Sequence, residues 1–437
     1  MKSISAGFVV PISDHNFNPF RNPPLGSLYL LTILKQEFGT QIDESLIDLR
    51  GVTPKNAVYH VPEKEVYLYS VSTLDFDDVK QLVNELREVY PGAKHIAGGC
   101  HIDIFPEESS EVFDAISLGE GEESIKRIFR DLSISELKSV YKQEEEIDLN
   151  NYPIGSREYL PKSAVVQKNI LIKEYKGLLG TSVIFSRGCP YNCYFCANVT
   201  RGRTRFRSPD LILEELEYLK REYNIEALAI KDDQSIPVNK EQARPMLEAL
   251  VKAGLKWRGQ TRANGVDPEM IKLAKKSGCI EIAVGVESVS QRALEIINKN
   301  IDLDEAKDYL RFLKQEGIDR RLLLIMGLPG EPDDTCERTI EFIKENEPSS
   351  VLLSLFSPFP GSETFRNPEK FGIKLNLNVP FDHYINVFGR FDQNEKPFKI
   401  FEYEEETPFG KGKSMDKIIE EYQTVQSFLR INGYNDY

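Results

Sequence analysis

SVIFSRGCPYNCYFCANV (Ser182–Val199) opens on a short apolar run and then places three of the chain's six cysteines, Cys189, Cys193 and Cys196, within eight residues at spacings of four and three. The run reads as a strand and the cysteines as the loop that leaves it. Downstream the pattern repeats: EALAIKDD, LKWRGQTR, IEIAVGVES, RRLLLIMGLPG and SSVLLSLFSPFPG read as further strands. Amphipathic runs such as SPDLILEELEYLKREY and DLDEAKDYLRFLKQEG lie between them as helices. Six strand–helix repeats predict a partial (β/α)6 barrel of the TIM type, short of the full eight units. In such barrels function sits at the carboxyl ends of the strands. Those ends carry the cysteine loop, Asp232 and Asp233, Gln260 and Arg262, Glu287, and the turn from Gly327 to Gly330.

Upstream, AGFVVPI, ESLIDL, VYLYSVS, KHIAGG and the start of AISLGEGEESIKRIFRDL alternate with helical stretches. This rhythm predicts an α/β unit over residues 1–138, an open parallel sheet of Rossmann or flavodoxin-like type. Such sheets bind ligands beyond their carboxyl edges, where this chain has Ser72 and Thr73, then Gly98, Gly99 and His101, then Gly119, Glu120 and Gly121. Small residues there let backbone approach a ligand, although a glycine pair alone is also ordinary turn chemistry. The polar stretch YKQEEEIDLNNYPIGS marks residues 139–174 as a linker, the barrel as 175–368, and 369–437 as a carboxyl-terminal extension. The chain has 437 residues and a net charge of −14, which argues against a general nucleic-acid binder. No signal peptide or transmembrane run is read, so a cytoplasmic protein is expected.

Three clustered sulfurs in a reducing compartment point to metal or redox chemistry. A structural zinc site normally closes with four Cys or His ligands, and no histidine lies in this loop. Zinc with a distant fourth ligand and plain packing of free thiols remain alternatives. An iron–sulfur cluster fits better, because thiolates are its normal ligands, and three of them leave one iron of four open.

Cys-x-x-x-Cys-x-aromatic-Cys, here Cys189, Cys193, Phe195 and Cys196, resembles the signature of radical S-adenosylmethionine (SAM) enzymes. The resemblance implies a [4Fe-4S] cluster on the three cysteines, with the open iron chelated by the amino and carboxylate groups of SAM. Reductive cleavage would then give a 5′-deoxyadenosyl radical that abstracts hydrogen from substrate. Supporting matches run over the following strands. They imply Phe195 against the cluster and adenine, Asp232 and Asp233 near the SAM amino group, Arg262 on the SAM carboxylate, and Glu287 on the ribose or amino group. They also place the IMGLPGE turn against adenine. Arg201, Arg203, Arg205 and Arg207 alternate, so an extended chain would aim them to one face.

The first unit is similar to the cobalamin-binding domain of B12-dependent radical SAM enzymes. That resemblance implies Ser72, Thr73, Gly98, Gly99, His101, Gly119, Glu120 and Gly121 as cobalamin contacts. One departure is plain: IDLRGVTPKN lacks the histidine that cobalamin domains of the methionine-synthase type supply to cobalt, so no protein imidazole is expected on the metal. His101 is not read as a cobalt ligand. The implied activity is methyl transfer from methylcobalamin to an unactivated carbon or phosphorus of a small-molecule or lipid-type substrate. Alternatives are B12 radical chemistry without methyl transfer (ring rearrangement, cyclisation or oxidation) and a non-catalytic iron–sulfur or cobalamin sensor. The expected partners are the substrate and a reductant such as flavodoxin or ferredoxin. His383, Tyr384 and Tyr403 are substrate-side candidates in the extension.

Overall fold

The computed structural model describes residues 3–12, 18–197, 202–237, 239–265, 267–380, 384 and 399–435. Two compact units divide the chain, Met1–Gln167 and Lys168–Tyr437.

In the first unit, β1 (Ile4–Val10), β2 (Ile42–Asp48), β3 (Val66–Ser70), β4 (Lys94–Gly98), β5 (Ala115–Leu118) and β6 (Val140–Lys142) form one sheet in the order β2-β1-β3-β4-β5-β6. Every neighbouring pair is parallel. The inner strands β1, β3 and β5 are largely apolar on both faces because helices cover both, whereas the edge strand β2 carries Asp43, Glu44 and Asp48. Val9, Tyr67, Tyr69 and Ala97 pack to one side with Phe76, Val79, Leu82, Val83 and Leu86 of α2 (Phe76–Val89). Phe8, Val66, Leu68 and Ile96 pack to the other with α1 (Leu25–Phe38) and α5 (Gly121–Ser133), elements introduced on either side of α3 (Cys100–Ile104) and α4 (Pro106–Val112). Strand order reverses between β1 and β3, the switch point where flavodoxin-like sheets open a ligand crevice.

Much of the stretch read as a linker belongs to this unit. β6 pairs with β5, the Tyr159 hydroxyl lies 3.0 Å from Glu44, and the fully buried Arg157 donates to the Gly155 carbonyl. The acidic run conceals a strand and anchors spaced too widely to show periodicity.

The second unit is a six-stranded parallel sheet ordered β14-β13-β12-β11-β10-β7. Its strands are β7 (Gly180–Val183), β10 (Ala227–Ile230), β11 (Lys256–Arg262), β12 (Cys279–Glu287), β13 (Asp319–Met326) and β14 (Ser350–Leu355), with a small hairpin of β8 (Ser186–Arg187) and β9 (Arg205–Phe206) after β7. Pairing runs from β7 to β14 without a closing pair among the described residues, which makes the partial barrel the spacing predicts. The connecting helices start where local chemistry says they should. Ser208 caps the helix Pro209–Tyr223 through its hydroxyl on the Leu211 amide, with proline in the first turn. Asp302 likewise caps Leu303–Gln315 by accepting from Asp304 and Glu305.

Beyond the barrel, β15 (Ile373–Leu375) pairs antiparallel with β16 (Phe401–Tyr403), and the helix Met415–Ile431 packs on Thr335–Asn346. Among the described residues no helix is long and apolar enough to cross a membrane.

Candidate functional site

The cysteine loop is tied down from four directions. Its base closes where the Gly202 amide donates to the Cys189 carbonyl and Arg207 to that of Phe185. Its middle hangs on the segment after the helix Gln291–Ile296: Tyr194 donates to the Ile297 carbonyl, and Asn298 Nδ2 reaches the Asn192 carbonyl at 2.7 Å. On the far side the Thr364 amide donates to the Tyr194 carbonyl. The sulfurs themselves meet polar groups, with Gln234 Nε2 3.8 Å from Cys189 Sγ and Arg262 Nη1 3.3 Å from Cys193 Sγ. Burial pushes the Cys189 thiol up, and the charges of Asp233 and Cys193 push it further. A bound cation reverses that balance by deprotonating its thiol ligands. Among the described residues no three Cys, His, Asp or Glu side chains gather as ligands of one metal ion. A multi-iron cluster instead takes its thiolates on separate irons. With three thiols on one anchored loop and N–H donors on two of them, the residues fit such a cluster.

The predicted strand-end residues divide into two groups. Asp233 is exposed, whereas Asp232 is 1% exposed and faces inward. Its carboxylate accepts from the Phe185 amide and the Ser186 hydroxyl, both at 2.8 Å, so it clamps the entry to the cysteine loop. Arg262 is 5% exposed, stacks 4.0 Å from the Tyr191 ring centre and leaves its Nε–H without a partner among the described residues, which fits an anion not yet counted. Glu287 sits at φ 71°, where β12 shifts register against β13. The bulge turns its side chain onto Lys299, 2.8 Å away and also buried, and Lys299 in turn lies 6.0 Å from the Phe195 ring centre.

The Gly327 turn is held at both of its backbone polar groups. Tyr403 donates to the Gly327 carbonyl at 2.8 Å, and Glu331 accepts from its amide at 2.8 Å. Gly327 has φ 90°, and a Cβ there would meet Ile418 at 2.5 Å, so glycine is required. Lys299, Glu331, Gln234, Tyr191 and Asn264 were not singled out from sequence. Lys299 is twelve residues from its partner and Glu331 four from the Gly327 amide, so both had local signals that reading could have used.

Burial raises the Asp232 carboxyl to about 7. Between about pH 4 and 7 the folded state therefore holds a proton that the unfolded chain has lost. Stability falls as pH rises through that window, by up to about 4 kcal/mol. Asp232→Asn should flatten this slope in denaturation of the apo-protein, while Asp232→Ala should cost about 1–3 kcal/mol by stranding two donors. An unchanged slope in the asparagine variant would assign the pH dependence elsewhere.

In the first unit, the β3, β4 and β5 ends interlock. Val71 donates to the Gly98 carbonyl, and His101 donates back to that of Val71. Gly99 has φ 106°, and a Cβ would lie 2.8 Å from Val71 backbone atoms, so this approach needs glycine. Ser72 hydrogen-bonds Asp75 at the start of α2. Asp103, another residue not singled out, accepts the Gly119 amide at 2.7 Å. Gly119 is exposed, and Ser72, Gly98, Gly99, Glu120 and Gly121 are partly so, which leaves small strand-end residues beside the switch point and fits a flat ligand. His101 is placed differently. It is 1% exposed, stacked 3.9 Å from Phe76, with Nδ1 3.3 Å from the Thr73 hydroxyl, so it supports Thr73 from behind. Burial lowers its pKa to about 4 and keeps it neutral. Arg50, in the segment lacking the cobalt histidine, is occupied by Asp48 and by the carbonyls of Pro19 and Asn22.

In the extension, Tyr384 is fully buried. His383 and, in the alternating series, Arg201 lie outside the described residues. Of the other arginines, Arg203 is exposed, Arg205 half-buried and Arg207 buried.

A three-thiol loop on the first strand of a parallel half-barrel, ringed by charged strand ends, fits an iron–sulfur site. Comparison with known proteins agrees. The radical SAM superfamily profile matches residues 183–343. The chain is 26% identical over 380 residues to an uncharacterized methyltransferase of Pyrococcus horikoshii, covering 82% of this chain and 80% of that protein. It is 26% identical over 300 residues to an anaerobic magnesium-protoporphyrin IX monomethyl ester cyclase of Cereibacter sphaeroides, covering 64% of this chain and 49% of the cyclase. Its fold is similar to that of the radical S-adenosylmethionine methyltransferase TsrM from Kitasatospora setae, solved with cobalamin and a [4Fe-4S] cluster, at TM-score 0.67 and 15% identity over 93% of this chain and 85% of that one. Residues 183–343 thus match the radical SAM superfamily, and the chain as a whole shares the fold of that cobalamin-bound enzyme.

Proposed function

We propose that the protein is a cobalamin-dependent radical SAM methyltransferase acting on an unactivated carbon or phosphorus of a small-molecule or lipid-type substrate. The observation that carries this reading is the pairing, in one chain, of an anchored three-cysteine loop with a flavodoxin-ordered sheet whose small strand-end residues flank its switch point. Bound together, cluster, SAM and cobalamin supply reductive SAM cleavage and methyl relay, and the protein positions them.

In this proposal Cys189, Cys193 and Cys196 hold the cluster and Phe195 shields it. Arg262 offers its free Nε–H to the SAM carboxylate. The exposed Asp233 takes the SAM amino group, while Asp232 shapes the loop beside it. Glu287, with Lys299, faces the ribose or amino side, and the locked Gly327 backbone lies along adenine. Ser72, Thr73, Gly98, Gly99, Gly119, Glu120 and Gly121 contact cobalamin over residues 1–138, and His101 holds Thr73 in place. Residues 175–368 form the catalytic barrel, 369–437 help select substrate, and flavodoxin or ferredoxin supplies electrons.

The test is product analysis with methyl-deuterated SAM. The reduced enzyme turning over substrate should form S-adenosylhomocysteine and 5′-deoxyadenosine in comparable amounts and place the label in product. A second reading, cyclisation or oxidation, is favoured by the similarity to the cyclase. Accumulation of 5′-deoxyadenosine with substrate consumed, but without S-adenosylhomocysteine or label transfer, would replace the first reading with the second. Absence of any SAM cleavage by the reduced protein would instead indicate a sensor.

A further inference from the structure

We propose that Arg262 sets the reduction potential of the cluster through a charged hydrogen bond to the Cys193 sulfur, an inference that rests on the radical SAM reading of the cysteine loop. Nη1 of Arg262 lies 3.3 Å from Cys193 Sγ. The guanidinium cannot drift freely from that position, because its carbon stacks 4.0 Å from the centre of the Tyr191 ring. The ring is itself fixed by Asn264 Nδ2, 3.3 Å from the Tyr191 hydroxyl. Tyr191 is two residues before Cys193, so the loop carries both the acceptor sulfur and the platform for its donor.

Charge balance points the same way. Arg262 is 5% exposed, yet among the described residues no carboxylate forms an ion pair with it. A buried guanidinium without an anion is costly. A cluster held by thiolates carries the missing negative charge, and hydrogen bonds to its sulfurs are among the factors that tune its potential. Reduction adds one electron to the cluster, supplied by a low-potential donor such as dithionite, with no bond made or broken. The fixed cation favours the more negative, reduced form, so it raises the potential. Gln234, 3.8 Å from Cys189 Sγ, is a neutral and longer contact and contributes less. Arg262 thus has two tasks: Nη1 serves the thiolate, and Nε remains for the SAM carboxylate.

The experiment is a redox titration of the full-length, anaerobically reconstituted protein without SAM, followed by EPR of the reduced cluster. At the wild-type midpoint, Arg262→Gln should show a roughly tenfold lower ratio of reduced to oxidised cluster, equivalent to a midpoint about 59 mV more negative. Arg262→Lys should recover part of the shift, since it keeps the charge but loses the planar fork. Iron content per chain, measured alongside, separates a change of potential from loss of cluster. An Arg262→Gln cluster that is intact but titrates with the wild type overturns the proposal and leaves Arg262 as a SAM contact alone. Where Arg262→Gln does not hold iron, Tyr191→Leu, which removes the platform and keeps the charge, should shift the potential in the same direction by less. A wild-type potential there also overturns the proposal. Failure of the parent reading looks different, because wild-type protein would then bind no cluster to titrate.

Discussion

Cys193→Ala should empty the protein of iron. Wild-type chain reconstituted under anaerobic conditions is expected to hold about four irons, with visible charge-transfer absorbance, and the variant close to none. The effect is large because every proposed protein ligand comes from one loop, so losing the central sulfur leaves two thiolates seven residues apart, Cys189 and Cys196. Cys193 is also the most buried of the three and the one that Arg262 contacts. SAM cleavage should vanish with the iron. The loop should persist without it, since its anchors at Ile297, Asn298 and Thr364 do not involve sulfur. The variant should therefore unfold near the wild-type apo-protein. Stoichiometric zinc in place of iron in the wild type, with no visible absorbance, would overturn the cluster reading.

Glu287→Ala should destabilise the barrel by about 3–5 kcal/mol, the usual cost of leaving one member of a buried ion pair without its partner. The Glu287 and Lys299 side chains are 11% and 8% exposed, and their charged atoms are 2.8 Å apart. Removing the carboxylate strands the ammonium beside Phe195. Replacing both residues with methionine should restore most of the stability, because apolar substitution of a whole buried pair is often neutral or favourable. SAM binding distinguishes the two roles of Glu287. If it contacts SAM, equilibrium binding should remain weak in the restored double variant; recovery of binding along with stability would leave it a structural pair only. Chemical denaturation and equilibrium dialysis on the same preparations give both readouts.

Much of this was legible in the sequence. The three cysteines proposed as cluster ligands lie within eight residues, so their spacing is visible without a fold. The helices were readable because capping and amphipathicity are local: Ser208 with Leu211, and Phe76, Val79, Leu82, Val83 and Leu86 along one stripe. The parallel sheets followed from alternating apolar strands and helices, since a parallel pair needs a crossover between its strands. The strand ends were therefore predictable as a set, and with them most of the candidate residues.

What each strand-end side chain does was decided only in three dimensions. Asp232 and Asp233 are neighbours in sequence, yet the segment leaving β10 turns one into the protein to bind Phe185 and Ser186, 47 and 46 residues away, and leaves the other exposed. His101 lies just after a glycine pair at a strand end, but the helix begun at Cys100 turns it onto Phe76 and Thr73. Arg262 reaches Cys193 across 69 residues, and the bulge before Glu287 selects Lys299 as its partner. Composition and period determine that a strand ends and that polar groups gather there. Which of them meet depends on register, bulges and the direction each side chain leaves the backbone, and those are properties of the packed sheet.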